Sequence, residues 1–178
     1  MADKFNLVAE EGNRRVGGMT KQEIEQCVMD IKSFFVRNGC TPNDGAKASE
    51  VQKVEKTLDN ELPQAMRCLL QEMDGGVYIL DKEVVGTERM IELINDLDGN
   101  KLWKSGLIPL AGDESGLYVI NKRGEVVEWD ADDGVGDMVD NGDSLESFLE
   151  NYRNLLLGGQ CEFLKGVGVI EKVAARRK

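Results

Sequence analysis

The chain has 178 residues, of which 41% are hydrophobic and 31% are charged, which is the composition of a globular protein with one domain and extensions. Its net charge of -11 makes nucleic acid a poor candidate partner, because a surface that binds phosphates needs a basic face. The sequence contains no histidine, which excludes Ser-His-Asp and Cys-His catalysis and histidine-ligated metals. These counts favour protein binding, or solubility alone, as the role of the acidic surface.

The location predicted from the sequence is cytoplasmic or nuclear, with no membrane association. No apolar run approaches the roughly 18–20 residues that span a bilayer. The first fifteen residues lack the apolar segment of a secretory signal. The four cysteines are scattered without a CxxC pair, so we expect structural thiols and neither a zinc site nor a cofactor.

Residues 1–45 are predicted to be an N-terminal extension with one amphipathic helix over 20–38. Residues 1–18 are polar, and we expect them to be flexible or ordered by a partner. Thr20 and Glu23 have the spacing of a capping box. The apolar stripe that follows consists of Ile24, Cys27, Val28, Ile31 and Phe35. This stripe can dock on the protein's own domain or on a partner, and the sequence leaves both open.

Two short helices and a strand are predicted next, after a loop over 40–48. Ser49 and Gln52 predict a capped start for the first helix. Pro63 suits the first turn of the second helix. Asp74-Gly75-Gly76 can take the left-handed backbone that ends it, and residues 77–80 follow as a strand.

The second half of the chain alternates between helix and strand patterns. A helix is predicted from near Thr87 to just before Gly99, and another over 144–159, capped by Asp143 with Glu146. Strands are predicted over 107–112, 117–121 and 125–130, the last two forming a hairpin. The tail over 159–178 contains a possible strand around 167–170 and a basic end.

An acidic block is the strongest candidate for a functional site. Residues 128–150 contain nine acids and no lysine or arginine. The spacing fails the calcium-loop pattern, and nothing places two carboxylates across a cleft as glycoside hydrolysis requires. A solvated rim and a docking face for a basic partner remain as the two readings.

Two aromatic residues stand close to this block in the predicted strands. Trp129 leads directly into the acidic loop, where it can anchor a partner or pack in the core. The residues predicted to bind a partner are Tyr118, Trp129, Asp130, Asp132, Asp133, Asp137 and Asp140.

The order of these motifs resembles the SUKH superfamily. The residues that carry the resemblance are Val54-Glu55, Leu62-Pro63, Asp74-Gly75-Gly76, LIPLAGDESGLYVIN (107–121), GEVVEWD (124–130) and SLESFLENY (144–152). The resemblance covers about residues 46–158. The chain departs from the usual pattern at Asp59, Asp74 and Leu117, so the resemblance does not carry over a specific partner.

The resemblance implies an α+β fold, with one domain built of a mixed sheet flanked by helices. It also implies a non-catalytic binding module, such as a toxin-neutralising immunity protein or an adaptor in cell-wall signalling. We therefore predict a non-enzymatic protein that docks a basic partner protein through an acidic face. The alternative is a structural subunit of a large eukaryotic assembly, such as a microtubule-associated complex, with its termini as the contacts.

Overall fold

The computed structural model describes residues 18–172. The expectations for residues 1–17 and for the basic end at 173–178 lie outside the described residues. Within the described range the helices are α1 (Lys21–Arg37), α2 (Ala48–Leu58), α3 (Gln64–Glu72), α4 (Thr87–Leu97) and α5 (Leu145–Leu157). The strands are β1 (Tyr78–Ile79), β2 (Lys82–Val84), β3 (Ile108–Asp113), β4 (Gly116–Ile120), β5 (Val126–Asp130), β6 (Gly134–Met138), β7 (Cys161–Leu164) and β8 (Gly168–Glu171).

Strands β1 to β6 form one antiparallel sheet in the order of the sequence. The α+β class is confirmed, but the sheet is antiparallel where a mixed sheet was predicted, because each strand pairs with the next one along the chain. Strands β7 and β8 form a separate hairpin. This hairpin packs beside the β1–β2 turn, where the Val169 N–H donates to the Leu80 carbonyl at 2.9 Å.

The main core lies between the helices and one face of the sheet. Helix α1 belongs to it: Ile31 and Phe35 are 1% and 0% exposed, and α1 packs on α3 and α5. Of the two possibilities for the N-terminal helix, the structure therefore shows docking on the protein's own domain.

A smaller apolar cluster covers part of the other face of the sheet. Its buried members are Leu107, Leu117, Val119, Val127 and Trp129. The C-terminal half of α4 and the segment over 98–106 lie against it, since Leu97, Leu102 and Trp103 pack on these residues. Both faces of strands β4 and β5 are thus buried.

Helix caps follow the local sequence, in two cases at positions that were not predicted. The capping box of α1 is confirmed, with the Glu23 N–H donating to Thr20 Oγ1 at 3.2 Å. Helix α2 begins earlier than predicted, because Glu50 accepts from the Lys47 N–H at 2.7 Å. The cap of α5 is Ser144, which accepts from the Ser147 N–H at 3.1 Å, and not Asp143.

The Asp74-Gly75-Gly76 turn links α3 to the start of α4. Gly75 and Gly76 have φ of 92° and 76°, in the left-handed region that glycine adopts without strain, as predicted. Asp74 then accepts from Thr87 twice, from its backbone N–H at 2.6 Å and from its hydroxyl at 2.7 Å. The motif therefore caps α4, but it does not end α3 as predicted, because α3 stops at Glu72 with the extended Met73 as its C-cap.

Candidate protein-binding site

The turns of the antiparallel sheet place acids at one of its ends. In such a sheet the β1–β2, β3–β4 and β5–β6 turns all lie at the same end. We call this the acidic end, defined by Asp81, Asp113, Glu114, Asp130, Asp132 and Asp133.

Three of the predicted acids meet in the β5–β6 turn. Asp130 Oδ1 accepts from the backbone N–H of Asp132 at 2.8 Å and of Asp133 at 2.7 Å. Asp130 therefore closes the turn, while Asp132 and Asp133 are exposed. Two carboxylates at the tip are free to face a partner.

The other two predicted acids lie along the edge of the sheet. Asp137 is exposed in β6, which is the last strand of the sheet, and Asp140 follows it. A strand advances about 3.3 Å per residue, so these acids lie progressively farther from the tip. Residues 139–142 pair with Val126, at the start of β5, which places Asp140 toward the opposite end. The predicted acids thus form a line rather than one compact patch.

Tyr118 supports the acidic end from the core side. Its side chain is 6% exposed, and its hydroxyl donates to Asp81 Oδ1 at 2.6 Å. Burial, followed by the hydrogen bond to Asp81, raises the pKa of the Tyr118 hydroxyl above its usual value. Lys82 Nζ lies 5.3 Å from the centre of the Tyr118 ring.

Trp129 packs in the smaller apolar cluster. It is 4% exposed, and its Nε1–H donates to the Leu102 carbonyl at 3.1 Å. Its ring meets that of Trp103 edge to face, with 5.2 Å between the ring centres. Neither Trp129 nor Tyr118 offers the exposed apolar surface that a partner anchor needs. Of the two roles that the sequence left open for Trp129, the structure shows packing in the core.

The β1–β2 turn is held in an unusual conformation from inside the fold. Leu80 has a φ of 55°, a conformation that costs a residue with a side chain about 1–2 kcal/mol. The Leu80 N–H donates to the Tyr152 hydroxyl at 3.1 Å, and that hydroxyl donates to the Tyr78 carbonyl at 2.8 Å. These bonds fix the turn that carries Asp81.

Lys82 belongs to the same network, although it was not among the site residues predicted from the sequence. It is 7% exposed, and its Nζ donates to Asp113 Oδ1 and to the Ser115 hydroxyl, both at 2.9 Å. Burial opposes ionisation of Asp113, but hydrogen bonds from Ser115 and Lys82 outweigh it and lower the pKa to about 2. The alternation of residues in β2 could have indicated that Lys82 is buried, because it places Lys82 and Val84 on the same inward face.

The turns at the two ends of the sheet carry opposite charges. The β4–β5 turn, at the opposite end of the sheet, carries Lys122 and Arg123, both exposed. Near the acidic end, the cations in residues 18–172 include the buried Lys82, Lys165 in the β7–β8 turn, and the exposed Lys101, whose neighbour Leu102 lies against Gly134. This separation of charge between the two ends of the sheet creates an electric field that attracts positive charge toward the acidic end.

Among residues 18–172, no group of three or more histidine, cysteine, aspartate or glutamate residues is arranged to hold a metal ion. No described helix is both long enough and apolar enough to cross a membrane.

An antiparallel meander under a helical layer, with its Leu62-Pro63 and Asp74-Gly75-Gly76 motifs at helix ends, defines an α+β domain of the SUKH class. The model of the SMI1 / KNR4 family (SUKH-1) matches residues 45–151, and the chain belongs to this family. The resemblance drawn from the motifs is thereby confirmed. The family is known for immunity-type or regulatory roles. No curated protein matches the chain.

Proposed function

We propose that the protein is a non-catalytic binding module, of the adaptor or immunity type, that docks a partner protein with a basic surface. The observation that carries the proposal is the charge separation along the sheet. Three turns gather carboxylates at the acidic end, while Lys122 and Arg123 lie at the other end. Such a field steers a basic surface toward one end and orients it during the encounter.

Within this proposal the predicted residues divide into contacts and supports. Asp132 and Asp133 at the tip and Asp137 along β6 are the contacts, with Asp140 as the outermost. Asp130, Tyr118 and Trp129 act from beneath by shaping the turns. The proposal includes a cytoplasmic location and assigns no role to nucleic acid, membrane or cofactor.

The test is a pull-down from native lysate, read by mass spectrometry. The variant Asp132→Lys/Asp133→Lys/Asp137→Lys reverses the contacts but keeps Asp130, which closes the turn. The control variant Asp59→Lys/Glu61→Lys/Asp96→Lys makes the same change in net charge at exposed positions away from the acidic end. We expect a stoichiometric basic protein to be lost from the first variant and kept by the control. Equal recovery with both variants contradicts the proposal.

A second candidate is a structural subunit that contacts its neighbours through the N-terminal extension. It is favoured by two large apolar side chains on the outer side of α1. Met29 and Val36 are seven residues apart, which places them on one face of the helix, and they are 51% and 54% exposed. In the same pull-down, loss of co-purifying proteins only with Met29→Lys/Val36→Lys would support this candidate.

A further inference from the structure

A groove of about 940 Å³ lies between α4, strands β2 and β3, and the turn over 74–76. Its base is apolar and includes Leu117 of β4, which is 7% exposed and lies on the same face of the sheet as Glu83. Leu93 of α4 also lines it. The groove extends to Asp113 and Glu114, where it meets the acidic end.

The lining of this groove is strongly negative. Seven of its lining residues are acids, and Arg89 is the one basic residue. Arg89 is itself paired, with Glu92 at 3.1 Å and with Asp96 at 3.9 Å. The groove therefore offers almost no site for an anion.

Some of these acids serve the fold and others are free for a ligand. Asp74 caps α4, and Asp113 is bound to Lys82 and Ser115. The side chains of Asp44, Glu83, Glu88 and Glu114 are exposed, and none has a hydrogen bond or ion pair with another described residue. These four carboxylates surround an apolar base.

We propose that this groove binds an extended, lysine- or arginine-bearing segment of a partner protein. A long basic side chain is apolar along its stem and charged at its tip, so it can lie on an apolar base and reach acids at the rim. A bare cation does not use the base, and nucleic acid and acidic peptides are repelled. The inference rests on the proposed function for the identity of the partner. A segment that leaves the groove at Glu114 reaches the acidic end, where that function places the basic partner.

The first experiment measures binding of a fluorescein-labelled peptide of alternating lysine and glycine by fluorescence anisotropy. The groove variant is Asp44→Asn/Glu83→Gln/Glu88→Gln, and the matched control is Asp132→Asn/Asp133→Asn/Asp137→Asn at the β5–β6 hairpin. Each variant changes the net charge from -11 to -8, by three neutralised acids. Since each exposed pair contributes only weakly on its own, we expect the loss of three to weaken binding about tenfold in the groove variant.

The same titration is repeated with a peptide in which ornithine replaces lysine. Ornithine keeps the charge of lysine but has a stem one methylene shorter, so this peptide loses apolar contact with Leu117 and Leu93. We expect it to bind several-fold more weakly to the wild type, and this difference to shrink in the groove variant.

Each outcome decides the inference. A larger loss with the groove variant than with the hairpin variant supports it. Equal losses show attraction by net charge alone, and a larger loss with the hairpin variant places the peptide at the acidic tip; both overturn it. Equal binding of the two peptides to the wild type also overturns it. Because this test uses a peptide and the pull-down uses a lysate, failure of the groove leaves the proposed function to its own test.

Discussion

Asp113 makes the stability of the fold depend on pH. Its carboxylate accepts from Lys82 Nζ at 2.9 Å, and its pKa falls from 3.8 to about 2. A lowered pKa in the folded state means that the unfolded chain binds the proton more readily. This contribution to stability is therefore complete above about pH 4 and is lost as the pH falls toward 2.

The corresponding prediction concerns Asp113→Asn. We expect this variant to be less stable than the wild type at neutral pH, with the difference shrinking as the pH falls from 4 to 2. Urea denaturation across this range measures it. Asp137→Asn, an exposed change on β6 that breaks no hydrogen bond or ion pair among the described residues, is the control and should follow the wild type. A difference that does not change with pH would contradict the role of the Lys82 pair.

Asp74 shows how a side chain distant in sequence can cap a helix. It accepts from the Thr87 N–H at 2.6 Å, at the first turn of α4, where backbone N–H groups lack partners within the helix. We expect Asp74→Ala to lower the free energy of unfolding by about 1–2 kcal/mol. Asp74→Asn should cost less, because its amide oxygen can still accept from the N–H. Chemical denaturation measures both, and equal losses would show that the charge rather than the hydrogen bond is what matters.

At the scale of elements, the sequence predicted the parts with strong apolar periodicity. All five helices of the described range and the central strands β3, β4 and β5 were found, because each buries a regular pattern. Strands β2, β6 and β7 were missed; in β7 only Cys161 is buried. Strand β2 has three residues, and β6 reads GVGDM with only its first residue buried, so neither shows a full apolar pattern.

The candidate site was predictable only in part, for a related reason. The sequence showed a dense acidic block, but strand geometry spreads that block along an edge and separates Asp140 from the tip. The groove was not predictable, because Asp44, Glu83 and Glu88 come from a loop, a strand and a helix. Only packing brings them together.

Helix α1 provides the prediction at the element scale. Phe35 is fully buried and meets the rings of Phe34 and Phe163 edge to face, at 5.3 Å and 5.5 Å. We expect Phe35→Ala to cost about 3–5 kcal/mol of unfolding free energy, since it leaves a cavity in the main core. The neighbouring change Val36→Ala, at a side chain 54% exposed, should stay within about 0.5 kcal/mol. Denaturation followed by circular dichroism separates them, and a small effect of Phe35→Ala would mean that α1 is dispensable to the core.

At the scale of the whole molecule, the sheet has a negative end and a positive turn, and this polarity can be measured without a partner. A protein binds an anion exchanger through its most negative face, so elution depends on where the charges lie as well as on their sum. Asp132→Asn/Asp133→Asn and Asp59→Asn/Glu61→Gln each change the net charge from -11 to -9 by two neutralised acids. The first pair lies at the acidic end, and the second lies in the connection between α2 and α3. We expect the first variant to elute at clearly lower salt than the second. Elution of both at the same salt would show that the protein presents only its net charge, and the steering on which the proposed docking depends would be lost with it.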